Sequence, residues 1–293
     1  PNPTVSQILN IVAATVNNAN GLWERELSIS TQIVNSNTAI LYVDPSVDPF
    51  NDDGDHPAML DENQANIDVF IGAGNYDLGH VFSESGGGLA QLASVCSAGG
   101  KAKAQSGAAG GPNDIGTFCH EAGHQFGAGH TFTSKSGGCD GNGMATSSVE
   151  PGSGTTIMSY NGACGADNTP LLTTPLTDYY NQFNLKQMTQ VFTSSGMCGS
   201  TALGQAPVNL PDMNANFIIP ANTPFELISN EAINTVASNS APLYCWEQND
   251  LGPIDMVEAN GASATSGPVF MSLPPVAKLQ REFPRYETLA ANK

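Results

Sequence analysis

The chain has 293 residues, about two domains' worth by length, although one large enzyme domain could absorb most of it. Lys and Arg number 9 against 27 Asp and Glu, and the net charge of −18 repels phosphate backbones and anionic lipid, which excludes nucleic-acid and membrane-surface binding. Charged residues make up only 12%, while Gly (31) and Pro (19) abound, a composition of turns and loops that excludes coiled coils.

No run approaches the ~20 apolar residues of a membrane span, and the N-terminus lacks the basic and apolar segments of a signal peptide. A soluble, already processed chain is therefore expected. With 6 cysteines and no CxxC pair, the sequence fits an oxidising compartment better than a structural zinc or redox motif.

Residues 4–19 predict an amphipathic helix: Val5, Ile8, Leu9, Val12 and Val16 share one face, Thr4 and Gln7 make a capping box, and Gly21 ends it. Leu27, Ile29, Thr31 and Ile33 alternate with polar residues as in a half-buried strand, and 39–43 suggests its neighbour. The acidic loop 44–55 carries Asn51, Asp52, Asp53 and Asp55. Calcium is an option there, but EF-hand spacing fails because the first ligand would fall on Pro49, so a solvated loop is favoured. Leu60, Asp61 and Gln64 open a second helix running to about Ile71.

A short strand follows at 77–82, and Gly86, Gly87 and Gly88 permit a bulge or the close approach of another chain, so this strand suits an open edge. The Gly-, Ala- and Ser-rich stretch 97–112 reads as loop. Pro112, Asn113 and Asp114 then start a helix to about Phe126, with Gly127 just past its end. Residues 131–176 look irregular, and a last helix opens at Asn184 with Gln187 as capping partner and Leu185, Met188, Val191 and Phe192 as its buried stripe. After about Gly204, prolines punctuate short apolar runs, a strand-rich texture. This divides the chain into a first domain, 1–204, and a β-rich, truncated region, 205–293.

The chemistry lies in His120-Glu121-Ala122-Gly123-His124-Gln125-Phe126-Gly127-Ala128-Gly129-His130, an HExxHxxGxxH pattern. His120 and His124 are one helical turn apart and face the same way, at a spacing that suits one metal ion. Gly127 can take the left-handed conformation that ends the helix and swings His130 back as a third nitrogen ligand. Three protein ligands leave a fourth position for water, the mark of a catalytic zinc, and Glu121 can serve that water as general base. Imidazoles that merely satisfy core hydrogen bonds would not require the acid, the hinge glycine and the third histidine together. Met158 lies 28 residues beyond His130, where a Met-turn belongs.

On these motifs the chain resembles the metzincin metallopeptidases, and more closely their reprolysin-like (adamalysin-type) branch in secreted bacterial proteins. Supporting stretches are Trp23-Glu24-Arg25-Glu26-Leu27, Tyr76-Asp77-Leu78-Gly79-His80-Val81-Phe82, Glu150-Pro151-Gly152-Ser153-Gly154 and Tyr244-Cys245-Trp246-Glu247-Gln248. The resemblance implies an α/β (α+β) catalytic domain: a twisted mixed sheet, long helices above a cleft, and a lower subdomain with His130 and Met158. It also implies a core strand and an inhibitory propeptide before the first helix, whereas the sequence opens on Pro1-Asn2-Pro3.

The expected protein is a secreted, monomeric zinc endopeptidase. Its polypeptide substrate lies antiparallel along the edge strand within 77–90, and Tyr160 acts as zinc ligand, oxyanion donor or mere pocket wall. Two rivals are a catalytically silent adhesion or carbohydrate-binding protein, disfavoured by Glu121, and a metal-dependent hydrolase of non-peptide bonds, disfavoured by the resemblance. For the cysteines the expectation is Cys96 with Cys198 and Cys139 with Cys164, leaving Cys119 and Cys245 as buried thiols. The region 205–293 holds no histidine and is expected to support or target the first domain.

Overall fold

The computed structural model describes residues 3–51, 55–83, 86–107, 115–169, 178–194, 197–200, 216–229, 243–254 and 266–284. Helix α1 (Val5–Leu27) forms both reciprocal bonds of the Thr4–Gln7 capping box. Gly21 does not end it. The apolar stripe continues through Ala19, Leu22 and Trp23, all buried, and burying an indole outweighs the ~1 kcal/mol that an internal glycine costs. The helix stops at Ser28, which turns left-handed at φ 56°. Strands are not formed at 27–33 or 39–43. The Asn20 side chain bonds both the N–H and the carbonyl of Thr31, occupying backbone groups a ladder would need, and Asn37–Ile40 closes into a 3-10 turn.

Helix α2 (His56–Ile67) begins before Leu60 because the Asp55 carboxylate caps Ala58 N–H and Pro57 fits the first turn. It continues as one wider turn, Asp68–Gly72. Gln64, read as a capping residue, instead reaches Asp68, Tyr76 and the N–H of Ala102.

The sheet has three strands, β1 (Val81–Ser83), β2 (Gly87–Ala90) and β3 (Ala104–Gly107), in the order β1-β3-β2, with β1 parallel and β2 antiparallel to β3. Residues 77–80, expected in the first strand, lie outside the ladder. The central strand β3 falls in the stretch read as loop. All four of its residues are buried because α2 and another helix, α3 (Ile115–Gln125), both pack on β2 and β3, and the run Ala-Gln-Ser-Gly lacks the apolar alternation that marks a half-buried strand. Among the described residues, β2 pairs with β3 alone and leaves its outer edge open.

The proposed start signals of α3, residues 112–114, lie outside the described residues. Its apolar face joins α1 and α4 (Gln182–Phe192) in the main core, where Trp23 packs against Phe118 and Phe126 with ring centroids 5.7 and 5.2 Å apart. Asn181, not Asn184, caps α4, accepting from Phe183 N–H. Residues 131–169 are mostly turns.

Disulfides join Cys96 to Cys198 and Cys139 to Cys164. Cys119 is buried and lies outside both disulfides. Cys245 is free but exposed, contrary to expectation, since its segment is paired through the single Tyr244–Val276 bridge at the surface. Beyond residue 215, β4 (Phe225–Ile228) and β5 (Gln280–Phe283) pair antiparallel around Phe225, Phe270 and Phe283. This part docks on the first through Gly252 N–H to Ser148 O (2.8 Å), Thr155 Oγ1 to Ser272 O (2.9 Å) and Gln182 N–H to Glu247 Oε2 (2.6 Å). The boundary expected at 199–210 falls largely on residues outside those described. Among the described residues no helix is long and apolar enough to cross a membrane.

Candidate active site

Helix α3 ends in a Schellman turn. Gly127, at φ 103°, sends its N–H to His124 O and the next N–H, of Ala128, goes to Gly123 O, both at 2.9 Å. The Ala128 carbonyl then accepts from His124 Nδ1 at 2.7 Å, so the turn that redirects the chain also orients a ring of the helix. The following bend is gripped by α4. Asn184 Nδ2 donates to Gly129 O, and Gly129 N–H donates to Gln187 Oε1. The pair read as a helix cap therefore holds the approach to His130.

The third ring, His130, is held from the loop closed by Cys139–Cys164. Its Nδ1 bonds Asn142 O at 2.7 Å, its backbone N–H points to Met144 Sδ, and its carbonyl accepts from Ser147 Oγ. His120 Nδ1 bonds Ile157 O at 2.8 Å. A carbonyl can only accept, so all three rings carry the proton on Nδ1 and present an Nε2 lone pair. Those lone pairs converge: His130 Nε2 lies 3.1 Å from that of His120 and 3.0 Å from that of His124. Three acceptors facing one another have no proton to share, and one small cation satisfies them all. Nitrogen donors at this spacing suit zinc.

All three imidazoles are buried, and burial holds each below its ordinary pKa, His124 down to about 3. They therefore stay neutral, as ligation requires. Glu121 is 5% exposed, and burial pushes its carboxyl up to about 8; among the described residues its Oε2 has no hydrogen-bond partner. Met158 is fully buried beneath this group, and its carbonyl accepts from Thr131 N–H. A Cβ at Gly123 would stand 2.6 Å from Met158 Sδ, so the glycine between the first two histidines makes room for Met158. The Tyr160 ring packs 4.7 Å from His130, 5.6 Å from His120 and 4.7 Å from Phe132. Burial, with a contribution from Glu121, pushes its phenol up to about 12.

Beneath the site, fully buried Glu150 ties the two loops together. One oxygen accepts from Thr131 Oγ1 and Thr156 Oγ1, the other from Thr155 N–H and Oγ1. The sequence reading named this residue only as part of a resemblance, and it missed Asn142, Met144 and Ser147 altogether.

The model of the metallo-peptidase family M12B, reprolysin-like, matches residues 2–190. The chain belongs to this family. As an M12B reprolysin-like protein it is a zinc metalloprotease, and family membership implies polypeptide substrates. No curated protein matches the chain. Among the described residues of this M12B protein, the three histidines are the group whose metal-ligand atoms converge. The acidic loop lends calcium no support: Asp52 and Asp53 lie outside the described residues, Asp55 caps α2, and Asn51 is bonded to Glu62.

Proposed function

We propose that this protein is a secreted, monomeric endopeptidase in which His120, His124 and His130 hold zinc and Glu121 is the general base. The observation that carries this reading is the convergence of three Nε2 lone pairs beside a buried carboxylate with an unpartnered oxygen. Held by these three histidines, zinc would supply Lewis acidity toward a scissile carbonyl and a water. The chain's own groups do the rest. Glu121 takes the proton of the attacking water on its carboxylate and delivers it to the leaving amine. The open edge of β2 offers unpaired backbone groups to an extended substrate lying antiparallel, so main-chain bonds align the scissile peptide without demanding a sequence. Tyr160, held protonated beside His120 and His130, donates to the developing oxyanion. Secretion is supported by two disulfides and the lack, among described residues, of a membrane-crossing helix. Residues 1–204 are the catalytic domain, and 205–293 support it through the docking bonds to Ser148, Thr155 and Gln182.

The test is Glu121→Gln assayed on casein, with zinc content measured in parallel. The metal should remain at one per chain while kcat falls at least ~10²-fold. Full activity in that variant would assign water activation to another group, and absence of metal from the wild-type protein would remove the zinc site.

A further inference from the structure

Three adjacent glycines lead into β2, and two of them, Gly87 and Gly88, have different reasons to be glycine. Gly87 has φ 81°, a left-handed backbone, and an added Cβ would meet nothing within 4 Å. Gly86 is also open on the side-chain side. Gly88 has an ordinary backbone, but a Cβ there would lie 2.4 Å from Glu121 Oε1 and 2.6 Å from both Cδ and Cγ. The backbone thus explains Gly87, whereas only the neighbour explains Gly88.

The placement follows from the helix. Phe118, Glu121 and Gln125 form the stripe of α3 that faces the sheet: Phe118 packs on His80, and Gln125 bonds Gly79 O and Lys101 O. Gly88 pairs with Ser106 of β3, whose hydroxyl meets the same His80. A carboxylate occupies a stripe otherwise used for packing, and the missing side chain at 88 provides its space. We infer that Gly88 is a positioning residue for Glu121, setting where the carboxylate sits above the three histidines. This inference rests on Glu121 being the base.

Alanine at 88 sets a clear contest. Non-bonded carbon atoms rest ~3.5–4 Å apart, so either the carboxylate retreats by about 1 Å or β2 does. Glu121 is the softer element, because its side chain ends in rotatable bonds while β2 is tied to β3 over four residue pairs. A misplacement of ~1 Å can cost on the order of 10²-fold in rate. Gly88→Ala should therefore lower kcat at least about tenfold with KM changed less than about twofold and with zinc retained. A crystal structure of the metal-free variant should show Glu121 Cδ displaced and β2 in place. In a Glu121→Ala background the same substitution should cost nothing further, since no carboxylate remains to be moved.

Retained kcat with a raised KM would mean that the strand yields instead, and would overturn the inference. An equal further loss in the Glu121→Ala background would do the same. If Gly88→Ala alone fails to fold, recovery of folding in the double variant supports the contact, and failure there refutes it. Full activity of Glu121→Gln would sink the general-base reading itself, whereas inactive Glu121→Gln beside fully active Gly88→Ala would sink this inference alone.

Discussion

Replacing Cys139 and Cys164 by alanine should weaken zinc binding by about two orders of magnitude, the scale set by the loop that the bridge closes. The cysteines are 25 residues apart, and closing such a loop is worth ~3.5 kcal/mol in the chain-entropy model. Between them lie three groups bonded to His130 itself through its side chain and backbone: Asn142 O, Met144 Sδ and Ser147 Oγ. The apolar support nearby is small, Phe132 with the two sulfurs and the edge of Tyr160. Without the bridge, the loop loosens in the metal-free protein and must be ordered again when His130 binds, so the entropy is charged to metal affinity. At ~1.4 kcal/mol per tenfold, the ceiling is between 10² and 10³ in the zinc dissociation constant. Competition with a chromophoric chelator measures it, with His130→Ala as the reference for complete loss of the third ligand. Unchanged zinc affinity alongside a lowered Tm would refute the reasoning, because the bridge would then act on the unfolded chain alone.

Tyr160→Phe should reduce kcat by ~10²–10³ with little effect on KM, as loss of one oxyanion donor does; unchanged kinetics would leave the ring as packing on Phe132. Burial pushes Glu247 up to about 7, so its native form favours the proton and its contribution to stability, full below the ordinary carboxylate range, is lost as pH rises through 7. Thermal melts of Glu247→Gln from pH 4 to 8 should therefore fall less steeply with pH than the wild type, and parallel curves would show that the group does not titrate there. A chain ending at residue 204 should lose stability because Ser148, Thr155 and Gln182 lose their bonds to the later region; full stability and activity on insoluble protein would make that region a mere connector.

The reactive ensemble was legible in the sequence because its geometry is local. A four-residue step on a helix puts His120 and His124 on one face, and the glycine at 127 can do only what its φ of 103° shows. The N-terminal cap and apolar stripe of α1 and the glycine that ends α3 follow from the same short-range signals. Where the reading failed, distant partners had decided. Trp23 buried against α3 carries α1 past Gly21, Asn20 takes the backbone bonds of Thr31, and covering helices turn residues 104–107, which lack an apolar pattern, into the central strand. Asn184 and Gln187 look like a cap at three-residue spacing, yet they hold Gly129, which precedes them by more than fifty positions. Sequence alone thus picked out the three histidines whose ligand atoms the fold brings together. Only the tertiary structure decided what holds them in place, because those supports, from the Glu150 carboxylate to the bare α-carbon of Gly88, are contacts between segments that local spacing does not encode.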